Sequence, residues 1–339
     1  MLRINNIKIR KDISNYEVLK IAIEKNHIHE DDILEWHISK KSIDARKKDD
    51  VHYSYSIDLK VKNEKKYIKL EKVKEFIMPD VKIKIDTDIN PVIVGAGPAG
   101  LFAAITLVQN GIKPIVLEQG QSVDERKKAI EFFQKTGNLN TSSNVQFGEG
   151  GAGTFSDGKL TTGINSPYCK KVLKEFVNFG APEEILYLSK PHIGTDNLIG
   201  IIKNIRQYII KNGGKFLFNT KAINFNIQNN KIVSITTQDT INKEISEIKA
   251  NQIILAIGHS SRDTFENLYK NGFIMEKKNF SVGVRIEHLQ EWINHSQYGN
   301  MTKLKLPPAE YKLAYHSSSG RSCYTFCMCP GRCCNGFFE

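Results

Sequence analysis

The sequence predicts an α/β fold in which a parallel sheet carries an inserted antiparallel β-meander, with a small α+β domain in front. Three observations predict it. An apolar strand, a glycine-spaced turn and a helix follow one another in PVIVGAGPAGLFAAITLVQNGIKPIVLEQG, residues 91–120. Short alternating stretches between residues 221 and 250 read as the meander, and QIILAIGHSS, residues 252–261, is a further apolar strand ending in Gly258.

The chain has 339 residues, enough for about two domains, with an ordinary 40% hydrophobic and 25% charged composition. No apolar run reaches the roughly 18 residues of a membrane helix. MLRINNIKIRK lacks the apolar stretch and cleavage site of a secretory signal, so the expected location is the cytoplasm and no membrane partner is expected. The net charge of +11 would suit nucleic acid or an acidic metabolite, but the lysines are interleaved with acids, as in NEKKYIKLEKVKEF. A basic, unspecialised surface is the simpler explanation. Cys169, at helical spacing with Val172, Leu173, Phe176 and Val177, reads as a core residue. The other cysteines crowd the end, where Cys327, Cys329, Cys333 and Cys334 match no zinc spacing and only His316 lies near, so no metal is expected.

Residues 1–88 read as the small α+β domain: a strand in LRINNIKIR, a helix in YEVLKIAIEK, and strands in ILEWHIS and VHYSYSIDLKVK. KKSIDARKKDD between the last two is a solvated turn or, less simply, an RNA or partner surface. Residues 89–279 form the next domain, with the meander at about 221–250, and 280–339 begin a third.

In the second domain Val92, Ile93 and Val94 make a strand buried on both faces. The helix from Pro98 to about Asn110 follows, with Gly111 placed to stop it. Pro114 to Leu117 form the next strand, and Glu118 ends it. This βαβ unit has a chemistry. Gly95 permits the tight turn, Gly97 lets a pyrophosphate approach the backbone, and Gly100 lets the helix pack on the sheet. The helix start at Pro98 and Ala99 faces the phosphates with free N–H groups and a partial positive charge. Glu118 would accept from ribose hydroxyls and repel a 2′-phosphate, which argues against NADP in this site. Dinucleotide binding is the expectation.

Farther on, Ser122 and Glu125 have capping-box spacing for a helix through DERKKAIEFFQK. Arg126, early in it, either reaches a phosphate or lies on the surface. SPYCKKVLKEFVNFG is a helix capped by Ser166, with Pro167 first and Gly180 past its end. A third helix after PHIGTDN buries Leu198, Ile201, Ile202, Ile205 and Ile209, and Gly213 and Gly214 close it. The meander that follows, turning at Asn229 and Asn230, replaces the further βα repeats of an ordinary NAD dehydrogenase.

The motifs VIVGAGPAGL with Glu118, GEGGAGTFSDGKL, PHIGTDNL, FSVGVRIEH and YHSSSGRSCYTFCMCPG resemble the successive signatures of bacterial FAD-dependent dehydrogenases of the glutathione-reductase-like flavoprotein superfamily. The resemblance implies a GR-type FAD-binding, Rossmann-like fold, with FAD as cofactor, NAD(P)H as a possible electron donor and an unidentified small-molecule substrate. It implies that the turn at Gly258 passes close to the FAD, and that residues 148–160 lie beside the flavin. There Gly148, Gly150, Gly151 and Gly153 would let the chain approach the cofactor and offer backbone N–H groups, while Thr154 and Ser156 offer hydroxyls. Otherwise these glycines serve only tight turns in a surface loop.

Catalytic residues are not assigned. Arg285 and Glu287 would share one face of a strand in FSVGVRIEH, and His259, His288 and His316 are candidate proton donors. No CxxC occurs near Glu118 or in the helix after it, which argues against a disulfide-reductase mechanism like that of glutathione reductase. Such flavoproteins end with a return to the FAD fold, whereas this sequence ends in GRCCNGFFE. The C-terminal part of the fold is therefore expected to be missing, with activity of the chain in question. The expected function is a flavin oxidoreductase transferring hydride. The alternatives are a flavoprotein acting on tRNA and a non-catalytic flavin-binding remnant.

Overall fold

A computed structural model describes residues 1–84, 90–155, 158–299, 304–325 and 328. The chain divides into two compact units, one of Met1–Ile77, Leu186–Pro191 and Ser281–Glu339, the other of Met78–Ile185 and His192–Phe280.

In the first unit, β1 (Leu2–Ile9), β2 (Ile33–Asp44), β3 (His52–Val61) and β4 (Glu71–Lys72) make an antiparallel sheet in the order β2-β3-β1-β4. Helix α1 (Asn15–Lys25) starts at a capping box between Ser14 and Glu17. Its Val18, Leu19, Ala22 and Ile23 pack with Leu2, Ile4, Ile57 and Leu59. Residues alternate across a strand, so Arg3 and Asp58 emerge on the opposite face, where they form a bidentate pair at 2.6 and 2.8 Å.

The second unit is built on β5 (Val92–Val94), α2 (Pro98–Gln109), β6 (Ile115–Leu117), α3 (Val123–Thr136), α4 (Pro167–Asn178), α5 (Thr195–Lys211) and β7 (Lys215–Leu217). The meander β8 (Thr220–Gln228), β9 (Lys231–Asp239) and β10 (Ile245–Lys249) follows, then β11 (Ile253–Leu255) and α6 (Arg262–Lys270). The parallel sheet runs in the order β11-β5-β6-β7, and the antiparallel one β10-β9-β8. Strand alternation explains why β5 is apolar throughout. Ile93 and Val116 face a core with Leu101 and Ile105 of α2 and Ile201, Ile205 and Ile209 of α5. Val92, Val94 and Leu117 face Ala222, Phe225 and Ile235 of the meander. Both faces are covered, as a parallel sheet requires. The turn at Asn229 and Asn230 has φ of 52° and 57°, conformations asparagine tolerates in a two-residue hairpin.

The rest of the first unit contains α7 (Gln290–Tyr298) and a hairpin of β12 (Ala314–His316) with β13 (Ser322–Tyr324). Three expectations are corrected. FSVGVRIEH forms no strand: Phe280, Val282, Val284 and Ile286 are exposed, because alternation without a pairing partner does not hold a strand. Cys169 is half-buried, its thiol donating to the Ile164 carbonyl at 3.5 Å, since α4 turns Phe176 rather than Cys169 into the core. Ser122 makes no side-chain capping bond to α3. The cysteines 327, 329, 333 and 334 lie outside the described residues. Among those described, no helix is long and apolar enough to cross a membrane.

Candidate cofactor site

Strand β5 delivers the chain to a turn whose shape is fixed by sterics. Gly95 has φ +107°, and a Cβ there would stand 2.4 Å from the Ala256 carbonyl oxygen. Its N–H donates to Leu117 at 2.7 Å, tying the turn to β6. Gly97 caps α2 and Pro98 occupies its first turn. A Cβ on Gly100 would come within 1.9 Å of the Gly95 carbonyl oxygen, so only glycine lets the helix start this close to the strand. The N–H groups of Gly97, Ala99 and Gly100 have no partner among the described residues. With Pro98 and Ala99 exposed, the positive end of α2 opens outward, and that is where a pyrophosphate fits.

The second glycine segment, fifty residues away in sequence, packs on this turn. Gly150 N–H donates to the Ala96 carbonyl at 2.8 Å. A Cβ on Gly151 would meet Pro98 Cδ at 2.9 Å and Gly97 Cα at 3.2 Å. Gly148 and Gly150 are buried, which corrects the surface-loop alternative. Direct amide donation to a cofactor is also corrected at the positions that matter most. Glu149, Gly150, Gly151 and Thr154 N–H groups already go to Gln121, Ala96, Gly148 and Gly151 carbonyls. The bare backbone serves contact between two chain segments. The Thr154 hydroxyl is buried and has no partner, whereas Gly153 is exposed with open space where a Cβ would be. Ser156 lies outside the described residues.

Replacing Gly151 by valine is expected to weaken FAD binding at least about tenfold with secondary structure retained, since the branched side chain would push against the turn. Flavin content after purification, read beside a far-UV spectrum, checks it; unchanged content would refute it.

Below the turn lies a buried charge cluster. Glu118 accepts from Ala96 N–H at 2.9 Å on one carboxylate oxygen and from Gly120 N–H at 2.8 Å on the other. The Gly148 N–H also acts on this carboxylate, and a ribose hydroxyl would add to these bonds. Burial pushes its pKa up, against the pull of the Gly120, Ala96 and Gly148 N–H groups and of Arg126. Arg126 is fully buried, which corrects its surface alternative. It donates to the carbonyls of Asn144 (2.7 Å), Val145 (2.9 Å), Glu149 (2.7 Å) and Gly151 (2.8 Å), with Gly148 at 3.3 Å. These bonds turn its guanidinium toward the loop and away from direct phosphate contact. Burial pulls it down to about 10 while Glu118 and Glu149 hold it up, so it stays charged at neutral pH.

Two members of the cluster escaped the sequence reading. Glu149 accepts from Val123 N–H at 2.7 Å and from Arg206 at 2.9 Å on Oε2, while Oε1 is buried without a partner. It supplies the N-terminal bond that Ser122 does not give α3. Glu149 was hidden among glycines; Arg206 had a signal, since it follows Ile205 at the edge of the buried face of α5. Gly258 has φ +69° after β11, with nothing within 4 Å of a Cβ. His259 pairs with Ser260, while His288 and His316 belong to the first unit and pair with Tyr311 and Ser322. Arg285 is also in that unit.

Residues 89–288 match the model of the pyridine nucleotide-disulphide oxidoreductase family. The chain belongs to that family. Residues 279–334 match the FAD-dependent protein, C-terminal domain-like family, and residues 1–60 a domain of unknown function, DUF8436. As an FAD-dependent oxidoreductase family member, the chain has FAD as its cofactor. An uncharacterized protein of Clostridium beijerinckii is 46% identical over 97% of this chain and 62% of its own length. The chain thus spans about three-fifths of that relative. Among solved structures, THI4 of Thermovibrio ammonificans is 17% identical, covering 55% of this chain and 64% of that one, with a TM-score of 0.37. Glycerol-3-phosphate dehydrogenase of Bacillus halodurans, complexed with FAD, is 14% identical over 50% and 34%, with a TM-score of 0.32.

Proposed function

We propose that this chain forms the FAD-holding part of a glutathione-reductase-like flavin oxidoreductase that takes hydride from a nicotinamide or an organic donor. One observation carries the reading: the unpartnered amides of Gly97, Ala99 and Gly100 open at the end of α2, with the second glycine segment seated directly against the same turn. Bound FAD supplies a two-electron acceptor. The residues of this chain bind and orient it. The α2 amides hold the pyrophosphate, Glu118 takes the adenosine ribose, and Gly258 leaves room for close approach.

The family name includes disulphide chemistry, but this chain has no CxxC beside the dinucleotide turn or elsewhere. The redox step proposed therefore uses no dithiol beside the dinucleotide turn. The substrate is a small molecule.

The purified protein is expected to be yellow, with the absorbance of bound oxidised flavin, and to bleach when NADH or NADPH is added without oxygen. A colourless protein that takes up no added FAD would refute the cofactor site. A yellow protein that neither nicotinamide bleaches would move the proposal to an organic donor.

A further inference from the structure

Arg126 raises a physical question that cofactor binding alone does not answer. A guanidinium with no exposed surface is costly to bury, and no carboxylate bonds to it directly; its hydrogen-bond partners are main-chain carbonyls, and it also lies over the Phe155 ring, 4.8 Å from the centroid. We infer that Arg126 is a positioning residue, setting the FAD affinity of the site without touching the cofactor by holding residues 144–151 against the dinucleotide turn. The inference rests on the FAD reading above.

Four features support it. The carbonyls of Asn144, Val145, Glu149 and Gly151 converge on one point, where their oxygens would repel one another and stay unpaired without a cation carrying several fixed donors. The loop is also shaped around the arginine stem: a Cβ on Gly148 would sit 2.5 Å from Arg126 Cδ. On its far side the loop bonds Ala96 through Gly150 and abuts Gly97 and Pro98 through Gly151. Finally, the helix that carries Arg126 is itself tied to the loop, since Val123 N–H donates to Glu149 Oε2 and Glu149 N–H to the Gln121 carbonyl. Contacts therefore run unbroken from α3 through the loop to the turn whose amides face the cofactor. Lysine cannot replace this. Its donors radiate from a single nitrogen, whereas the guanidinium spreads its N–H groups across a planar fork.

The test is FAD titration of the full chain by flavin fluorescence, for the unmodified protein, Arg126→Lys, Arg126→Ala and the exposed neighbour Lys128→Ala. Arg126→Lys is expected to weaken binding at least about tenfold, the scale of a lost charged hydrogen bond, with an unchanged far-UV spectrum. Arg126→Ala should weaken it further, and millimolar guanidinium, but not ammonium, should restore part of the affinity. Lys128→Ala should bind as the unmodified protein does. A purely space-filling role for the side chain would give no guanidinium-specific recovery. Equal affinity in Arg126→Lys, or no guanidinium recovery in a folded Arg126→Ala, would overturn the inference alone. If Arg126→Ala does not fold, Arg126→Lys decides. An unmodified protein that binds no FAD would overturn the cofactor reading itself, and this inference with it.

Discussion

Gly100→Ala is expected to cost about 3 kcal/mol or more of folding stability and to abolish FAD retention, the largest effect of any single methyl group in the site. The new Cβ would lie 1.9 Å from the Gly95 carbonyl oxygen and 3.0 Å from its carbon. That oxygen belongs to a main chain with no freedom to move. Gly95 N–H is bonded to Leu117 at 2.7 Å, and the other side of Gly95 is closed by the Ala256 carbonyl. Relief must come from α2 lifting off the sheet, which draws Leu101, Ala104 and Ile105 out of the core they share with α5. The α2 amides would move with them. Gly111→Ala separates this steric effect from backbone strain. Gly111 has φ +77° but open space around it, so alanine there should cost only about 1 kcal/mol and leave flavin binding intact. Urea denaturation and flavin content of the two variants make the comparison. If Gly100→Ala were no worse than Gly111→Ala, α2 would not sit against Gly95 as described.

The βαβ unit was legible because each of its residues obeys a local rule. Val92–Val94 is apolar on both faces, Pro98 opens the helix and Gly111 lies past its end, so pattern and structure agree almost residue by residue. The meander was legible for the same reason, with Asn229 and Asn230 marking its tightest turn. What the sequence hid was the task of residues whose partners are distant. Glu149 caps a helix that begins twenty-six residues before it, a bond no local pattern records. Arg126 lies on the buried face of α3 with Val123 and Ile130, but no local pattern records the carbonyls of residues 144–151 that fold back to receive its guanidinium. The converse failure is FSVGVRIEH, where alternation alone suggested a strand although pairing, which decides, cannot be read from one segment. Glycines showed the same limit. Their absence of side chains was evident, but whether the space was for a ligand or for another stretch of chain was not, and at Gly151 it is the Gly97–Pro98 turn that fills it.

Glu149→Gln is expected to flatten the pH dependence of stability between about pH 5 and about pH 8, because this carboxyl is pushed up to about 7 in the folded chain. Burial is the main cause. Val123 N–H and Arg206 pull the other way, and Asp124 and Glu118 add to the rise. The sign follows from comparing protonation in the two states. In the unfolded chain the group titrates near 4.5, so below that pH it is protonated in both states. Between 4.5 and about 7 the folded state keeps a proton that the unfolded state releases, and stability therefore falls as pH rises through this window. The stabilisation is complete below the unfolded value and lost above the folded one. A shift of that size corresponds to about 3 kcal/mol. Glu118, raised by burial as well, contributes a slope of the same sign, so the variant should keep a shallower dependence rather than none. Glutamine preserves an oxygen for Val123 and Arg206 but places an amide where Oε1 now lies unpartnered, so the variant will be less stable at acid pH. The slope, not the absolute value, is the readout. Urea denaturation at several pH values gives it, and a slope unchanged by Glu149→Gln would show that this carboxyl is ionised throughout, with Arg206 outweighing its burial.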